Sequence, residues 1–356
     1  MLSTNTLRVH STAIPEIMGR AALMPVRLSG HEGVNSLFEY ELLLKTPEDV
    51  IGIGSGGADF NLDDFDGREI SCTIELDGSG AFVPGAIGAP AGQLGAGTRE
   101  INAIICRAQF WGEEGRHLQY KLTLRPWLYL ATLTTDCKIF QNKTVVGILD
   151  EVLADYPYPV EKRLIEHYKR RDYQVQYNET DLAFVERLCQ EWGINYFFEH
   201  SQGKHRLVLA DHMGAWQPNP SEAYRQVPYH PPGHKIDSEY LHAWSPAHQL
   251  TSGRYSATDY DYTEPRADLR QNIQDAGPTA HADGEVHQWH ASQAASHWAQ
   301  PKAGGSGQSS SPEEGRLLAL LRMQQLRTAA VRAQGSGNLR GMVPGCTFRL
   351  AGHPRQ

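Results

Sequence analysis

Apolar and polar residues alternate through the first third of the chain. In FEYELLL, Phe38, Tyr40, Leu42 and Leu44 share one face, and Glu39 and Glu41 take the other. That is the two-residue period of a half-buried strand. The runs REISCTIEL (68–76) and HLQYKLTLRPWLYL (117–130) alternate in the same way, with turn-forming residues between them. Spacing of this kind predicts an antiparallel barrel or sandwich.

The period changes near residue 144. Thr144 can cap a helix whose Val145, Ile148, Leu149, Val152 and Leu153 fall at helical spacing, and Tyr156-Pro157 ends it. A second helix starts near Asn178 or Thr180 and carries Leu182, Val185, Leu188, Cys189 and Trp192, with Gly193 where a left-handed C-terminal cap belongs. INYFF, a turn at 201–204 and RLVLA then read as a β-hairpin. Strand-like and irregular sequence runs to about Pro265, and a histidine-rich segment, 285–298, reads as helical. After PKAGGSGQSSS (301–311) comes the clearest helix. It opens at Ser311 and Pro312, carries Glu313 and Glu314 in its first turn, shows a stripe of Leu317, Leu320, Leu321 and Leu326, and is expected to stop at Gly335. Short strands follow to the end.

Composition narrows the class. The chain has 356 residues, 40% hydrophobic and 21% charged, as expected of two to three folded domains. Its 33 basic and 41 acidic residues give a net charge of -8, which argues against a general nucleic-acid binder. No run approaches 18 apolar residues, so no membrane-spanning helix is expected. The N-terminus lacks a basic region followed by an apolar one, so no secretory signal is expected. Five cysteines (Cys72, Cys106, Cys137, Cys189, Cys346), widely spaced and without CxxC, read as reduced thiols. Most of the aromatic residues are assigned to core or subunit interface.

Candidate chemistry is sparse. Gly52, Gly54 and Gly57 fit G-x-G-x-x-G, with Asp77 at the distance of a ribose-binding acid, but turn-forming ADFNLDDFDG follows instead of the helix that would meet a pyrophosphate. Asp63, Asp64, Asp66 and Gly67 resemble a calcium loop, yet the register puts Leu62 and Thr73 at its ends. The best metal candidates are His287, His290 and His297, with Asp283 and Glu285 nearby. On a helix, spacings of three and seven bring them to one side. The Ala/Gln/Ser-rich surroundings fit a solvated helix face, and no fourth ligand is identifiable. No G-x-S-x-G, HExxH or P-loop occurs. His31-Glu32 and Asp211-His212 have no spaced partner for a triad, and Glu113-Glu114 reads as solvated. Carboxylate pairs for glycoside hydrolysis stay open, because their spacing is spatial. No catalytic residue, cofactor or resident metal is expected.

The stretch RDYQVQYNETDLAFVERLCQEWGINYFFEH (171–200), followed by HRLVLAD, resembles the VgrG family of type VI secretion spike proteins, whose first half resembles the baseplate hub of contractile phage tails. GHEGVNSLFEYELLLKTPE (30–48), YKLTLRPWLYLATLTTDCKIFQNKTVVGILDEVL (120–153) and the terminal GNLRGMVPGCTFRLAGHP agree in order. The resemblance implies an α+β, predominantly β fold with two related antiparallel β-barrel domains and α/β insertions. The implied division is a first barrel at 1–134, an α/β insertion at 135–212, and a second barrel at 213–356 with an inserted helical segment at about 266–334. It implies a homotrimer forming a pseudo-six-fold ring on a hexameric tube protein, with no enzymatic activity, no nucleic acid and no stable membrane insertion. It also implies cytoplasmic synthesis and export by the secretion machine itself. Family members continue into an oligonucleotide/oligosaccharide-fold domain and a β-helix needle, through which they meet a spike-tip protein and effectors; that part is expected to be absent from these 356 residues. Residues 281–311 match no family pattern, and a partner or effector contact there is an expectation from position only. The rival readings are a prophage tail hub and, from another class, a cell-wall glycan hydrolase or a metal enzyme.

Overall fold

The computed structural model describes residues 6–17, 19–47, 60–78, 95–233, 238–261, 264–289, 298–299 and 311–354. The first module is one curled antiparallel sheet. Its strands are β1 (Leu7–His10), β4 (Met24–His31), β5 (Glu39–Lys45), β6 (Glu69–Leu76), β7 (Gly97–Glu114) and β8 (His117–Arg125), in the order β1-β6-β7-β8-β5-β4. The two-residue strands β2 (Glu16–Ile17) and β3 (Arg20–Ala21) pair beside it. Curling brings the two end strands, β1 and β4, into contact. The alternation that predicts these strands is their burial pattern: Tyr40, Leu42 and Leu44 of β5 and Tyr120, Leu122 and Leu124 of β8 all point into the core. The strand expected over 117–130 ends at Arg125, because Pro126 has no N–H to continue the ladder and caps a 3-10 turn, Trp127–Thr132.

The central module combines three units. The ribbon β9 (Thr135–Lys143) with β11 (Arg171–Thr180) is antiparallel. Helices α1 (Val145–Leu153) and α2 (Asp181–Trp192) pack on one face of it. The third unit is the sheet β10-β13-β12, formed by β10 (Val160–Arg163), β12 (Asn195–Ser201) and β13 (Lys204–Ala210). Thr144 caps α1 by accepting the Gly147 N–H at 3.1 Å, and Thr180 caps α2 by accepting that of Ala183 at 3.1 Å. Gly193 ends α2 at φ 69°. The β12–β13 hairpin turns on Gln202 and Gly203, both at positive φ, as a two-residue loop between right-twisted strands requires. One continuous apolar core runs from Leu7 through Phe38, Trp127, Phe184 and Trp192 to Leu209, so the first sheet and the central module share it.

The last module is built from small sheets. Strands β14 (Gln217–Pro218) and β15 (Gln226–Pro228) pair in parallel with β21 (Cys346–Thr347) and β22 (Arg349–Ala351). Strand β16 (Leu241–His248) pairs with β20 (Val331–Gly337), and β17 (Arg254–Thr258) lies between β18 (Gln271–Gln274) and β19 (Glu285–Trp289). Helix α3 (Ser311–Thr328) covers β17 and β18, and a second core of Tyr255, Leu269, Trp298, Leu318 and Met323 lies between them.

Two expectations need correction here. Residues 285–289, read as helical, form strand β19, because the parallel ladder to β17 holds them extended. Helix α3 stops at Thr328 and not at Gly335: Ala330 N–H closes on Arg327 O, and Gly335 lies inside β20. The fold is α+β and predominantly β, as the resemblance implies.

Candidate assembly interface

Buried polar groups in this protein join elements together. Arg171, at the start of β11, is enclosed with two carboxylates. Its Nη2 donates to Glu191 Oε1 of α2 at 2.7 Å and to Glu314 Oε1 of α3 at 3.2 Å. Its Nη1 donates to Gln174 Oε1 at 2.8 Å, and the guanidinium lies 4.7 Å from the centre of the Trp192 ring. Burial raises the Glu314 pKa, with Arg171 opposing. An ion pair between Lys169 and Glu313 flanks the cluster. The signal for this lock is in the sequence: Glu191 sits between Leu188 and Trp192, on the face that packs inward.

A second buried cluster seals the first sheet to the β12–β13 hairpin. Asn102 N–H donates to His200 Nδ1 at 3.0 Å, and Trp127 N–H donates to His205 Nε2 at 2.8 Å. Phe38 packs against both imidazoles. Burial drives both histidine pKa values down to about 3, so both rings are neutral. Nearby, Arg99 bridges Glu32 at 2.8 Å and the Tyr40 hydroxyl at 3.2 Å. A small recess lies beside this cluster, lined by Asn102, Tyr158, Lys204 and His205. At about 80 Å³ it has room for a few water molecules.

The residues singled out from sequence are dispersed. His287 sits exposed on β19, with Nδ1 2.8 Å from the Ser256 hydroxyl, which also pairs with Glu285. His290 and His297 lie outside the described residues, and so do Gly52, Gly54 and Gly57. Among the described residues no three His, Cys, Asp or Glu side chains gather as metal ligands. Asp63 and Asp64 belong to a 3-10 turn capped by Asn61, and Asp77 pairs with Arg340. Glu32 serves Arg99 and Tyr40. Asp211 accepts the N–H groups of Ile165 and Glu166 and the Tyr168 hydroxyl, with His212 beside it at 3.0 Å.

The fold leaves a strand ribbon and several aromatic side chains uncovered. Every residue of β20 is exposed, and of its partner β16 only Leu241 is buried, so this ribbon meets solvent on both faces. A two-stranded ribbon in water is marginal by itself, and a free strand edge is a template for another chain. The outer face of the β9–β11 ribbon shows Ile139, Tyr173 and Tyr177 to solvent, while Phe140 on its inner face stacks on Phe184. Sequence reasoning groups such aromatics as core or interface without saying which residues are which.

Comparison with known proteins gives this surface a setting. Residues 31–356 match the family described as phage tail baseplate hub. Type VI secretion system spike protein VgrG1b of Pseudomonas aeruginosa is 32% identical over 358 aligned residues, covering 99% of this chain and 41% of the relative. Spike protein VgrG1c of the same organism is 31% identical, covering all of this chain and 43% of the relative. The chain therefore spans about two fifths of the length of these relatives. Among solved structures, a tail protein from Neisseria meningitidis superposes with a TM-score of 0.55 at 10% identity, covering 97% of this chain and 86% of that one. A 43 kDa prophage tail protein from Shewanella oneidensis gives 0.52 at 10% identity, covering 92% and 81%. These two likenesses show the fold.

Proposed function

The chain belongs to the phage tail baseplate hub family, and from that premise we propose that it is the structural hub of a type VI secretion spike. In this reading three copies close into a ring of six barrel-like modules, a symmetry that matches a hexameric tube. The opposite face carries whatever extends the spike toward its tip and effectors. The chain is made in the cytoplasm and leaves with the machine. Its work is mechanical: burying apolar surface and pairing strand edges between copies, with no bond made or broken.

The observation that carries this reading is the match to spike proteins along essentially the whole chain, at 32% and 31% identity. The described residues agree in character, since their buried charges tie elements together and their unsatisfied surface is strand edge and exposed aromatic. A prophage tail hub would share the fold, and the 32% and 31% identity to spike proteins is what favours the secretion reading. Light scattering across a dilution series tests it. The expected result is a particle of three chain masses that persists on dilution. A chain that stays monomeric at every concentration contradicts the proposal.

A further inference from the structure

A closed ring of more than two copies needs two different patches per chain, one meeting the other head to tail. We propose that in the ring just described the β16–β20 ribbon of one copy receives the tip of the β7–β8 hairpin of the next copy. The inference rests on the ring reading and specifies its contact.

One end of the ribbon sets exposed apolar side chains beside a cation. Val331 is 62% exposed and Leu250, just past β16, 55%. Arg332 and His248 are exposed beside them, and Arg332 forms no ion pair with another described residue. From residue 331 to the end the sequence holds four arginines and no acidic residue. The first module is its electrostatic opposite, with ten basic and sixteen acidic residues in 1–134.

Within that module, one feature combines acid with exposed aromatic surface. Strand β7 has a register shift between Phe110 and Gly112, and the bulge there re-aims the chain. Phe110 is left 46% exposed and Trp111 51%, and Glu113 and Glu114 are both exposed toward the turn. Lys121 lies over the Trp111 ring at 4.1 Å, and Gln119 donates to Glu114 at 2.6 Å, which leaves Glu113 without a pairing cation among the described residues. Arg116 at the turn is the remaining exposed cation of the tip. Aromatic anchors with Arg are what the centres of protein interfaces favour, and a Glu113–Arg332 contact would fix register and partner choice. A second copy of this acidic chain is the occupant that the ribbon's charge selects.

The test is a charge exchange read by light scattering over a dilution series. Arg332→Glu, and separately Glu113→Lys with Glu114→Lys, are expected to shift the dissociation midpoint to at least tenfold higher concentration. The combined triple variant is expected to recover most of that loss. Circular dichroism and thermal midpoint check that each variant folds, and both sites are exposed. Unchanged assembly in the folded variants, or weakening without recovery in the combination, overturns the contact while the ring reading stands. A wild-type chain that never assembles overturns both.

Discussion

Burial sets the protonation of His200 and His205, and both rings are neutral acceptors of backbone N–H groups. Protonating His205 would replace the acceptor facing Trp127 N–H with a donor. Arg99 further disfavours a charge on His200, while Glu100 and Glu199 favour one, and Glu32 stands 4.0 Å from its Nε2. The folded values lie near 3, below the roughly 6.5 of an unfolded histidine. The unfolded chain therefore binds more protons between those limits. Stability is fully present above about pH 6.5 and is lost as pH falls toward 3. Glu314 acts with the opposite sign, since burial raises its pKa and the native state takes up its proton first. Urea midpoints measured at pH 7.5 and pH 4.5 are expected to drop for the wild type. They should drop less for His205→Gln, whose amide oxygen can still accept from Trp127. An equal fall in the variant would remove His205 from the account.

At the scale of elements, Gly345 shows how the last strands are seated. Its φ is +73°, and a Cβ there would lie 2.4 Å from the Phe197 ring of β12. Gly203 at the hairpin turn has a φ of +72° with nothing within 4 Å. Alanine at Gly203 should therefore cost only the left-handed backbone, about 1 kcal/mol. Alanine at Gly345 adds overpacking and should cost about 2–4 kcal/mol in a denaturant titration. Equal losses would show that Phe197 yields freely. Much at this scale is legible in the sequence. Alternation places the strands of the first sheet, Thr144 and Thr180 place both caps, and Gly193 ends α2. The misreadings share a cause, which is that long-range pairing overrides local pattern. Residues 285–289 have helix-compatible spacing, yet β17 captures them as a strand. Residues 331–337 continue a helical stretch, yet β16 captures them. The interface is less legible than the fold, because Ile139 and Phe140 are adjacent apolar residues and only the covering helices decide which one faces solvent.

At the scale of the whole molecule, helix α3 touches both of the larger apolar cores among the described residues. The first runs from Leu7 to Leu209 and the second from Tyr255 to Met323. Helix α3 belongs to both: Leu318 and Met323 lie in the second core, while Leu317 packs against the first. Its first turn is locked by Arg171 against Glu191 and Glu314, and by Lys169 against Glu313. Replacing Arg171 with alanine strands two buried carboxylates, a change that typically costs about 3–5 kcal/mol. The loss falls on the contact between the cores and leaves the packing inside the second core untouched. Calorimetry of the wild type should show one transition, and Arg171→Ala should split it, with the last module melting first. Replacing Arg171, Glu191 and Glu314 together by methionine removes charge and counter-charge, so the single transition should return. If Arg171→Ala lowers the midpoint without splitting the transition, α3 is held by its leucines and the buried ion cluster is not what couples the modules. If the proposed hub passes force from one face to the other, its modules must move as one body, and the Arg171 lock on α3 shares that work with the Arg340–Asp77 pair and the seating of Gly345 against Phe197.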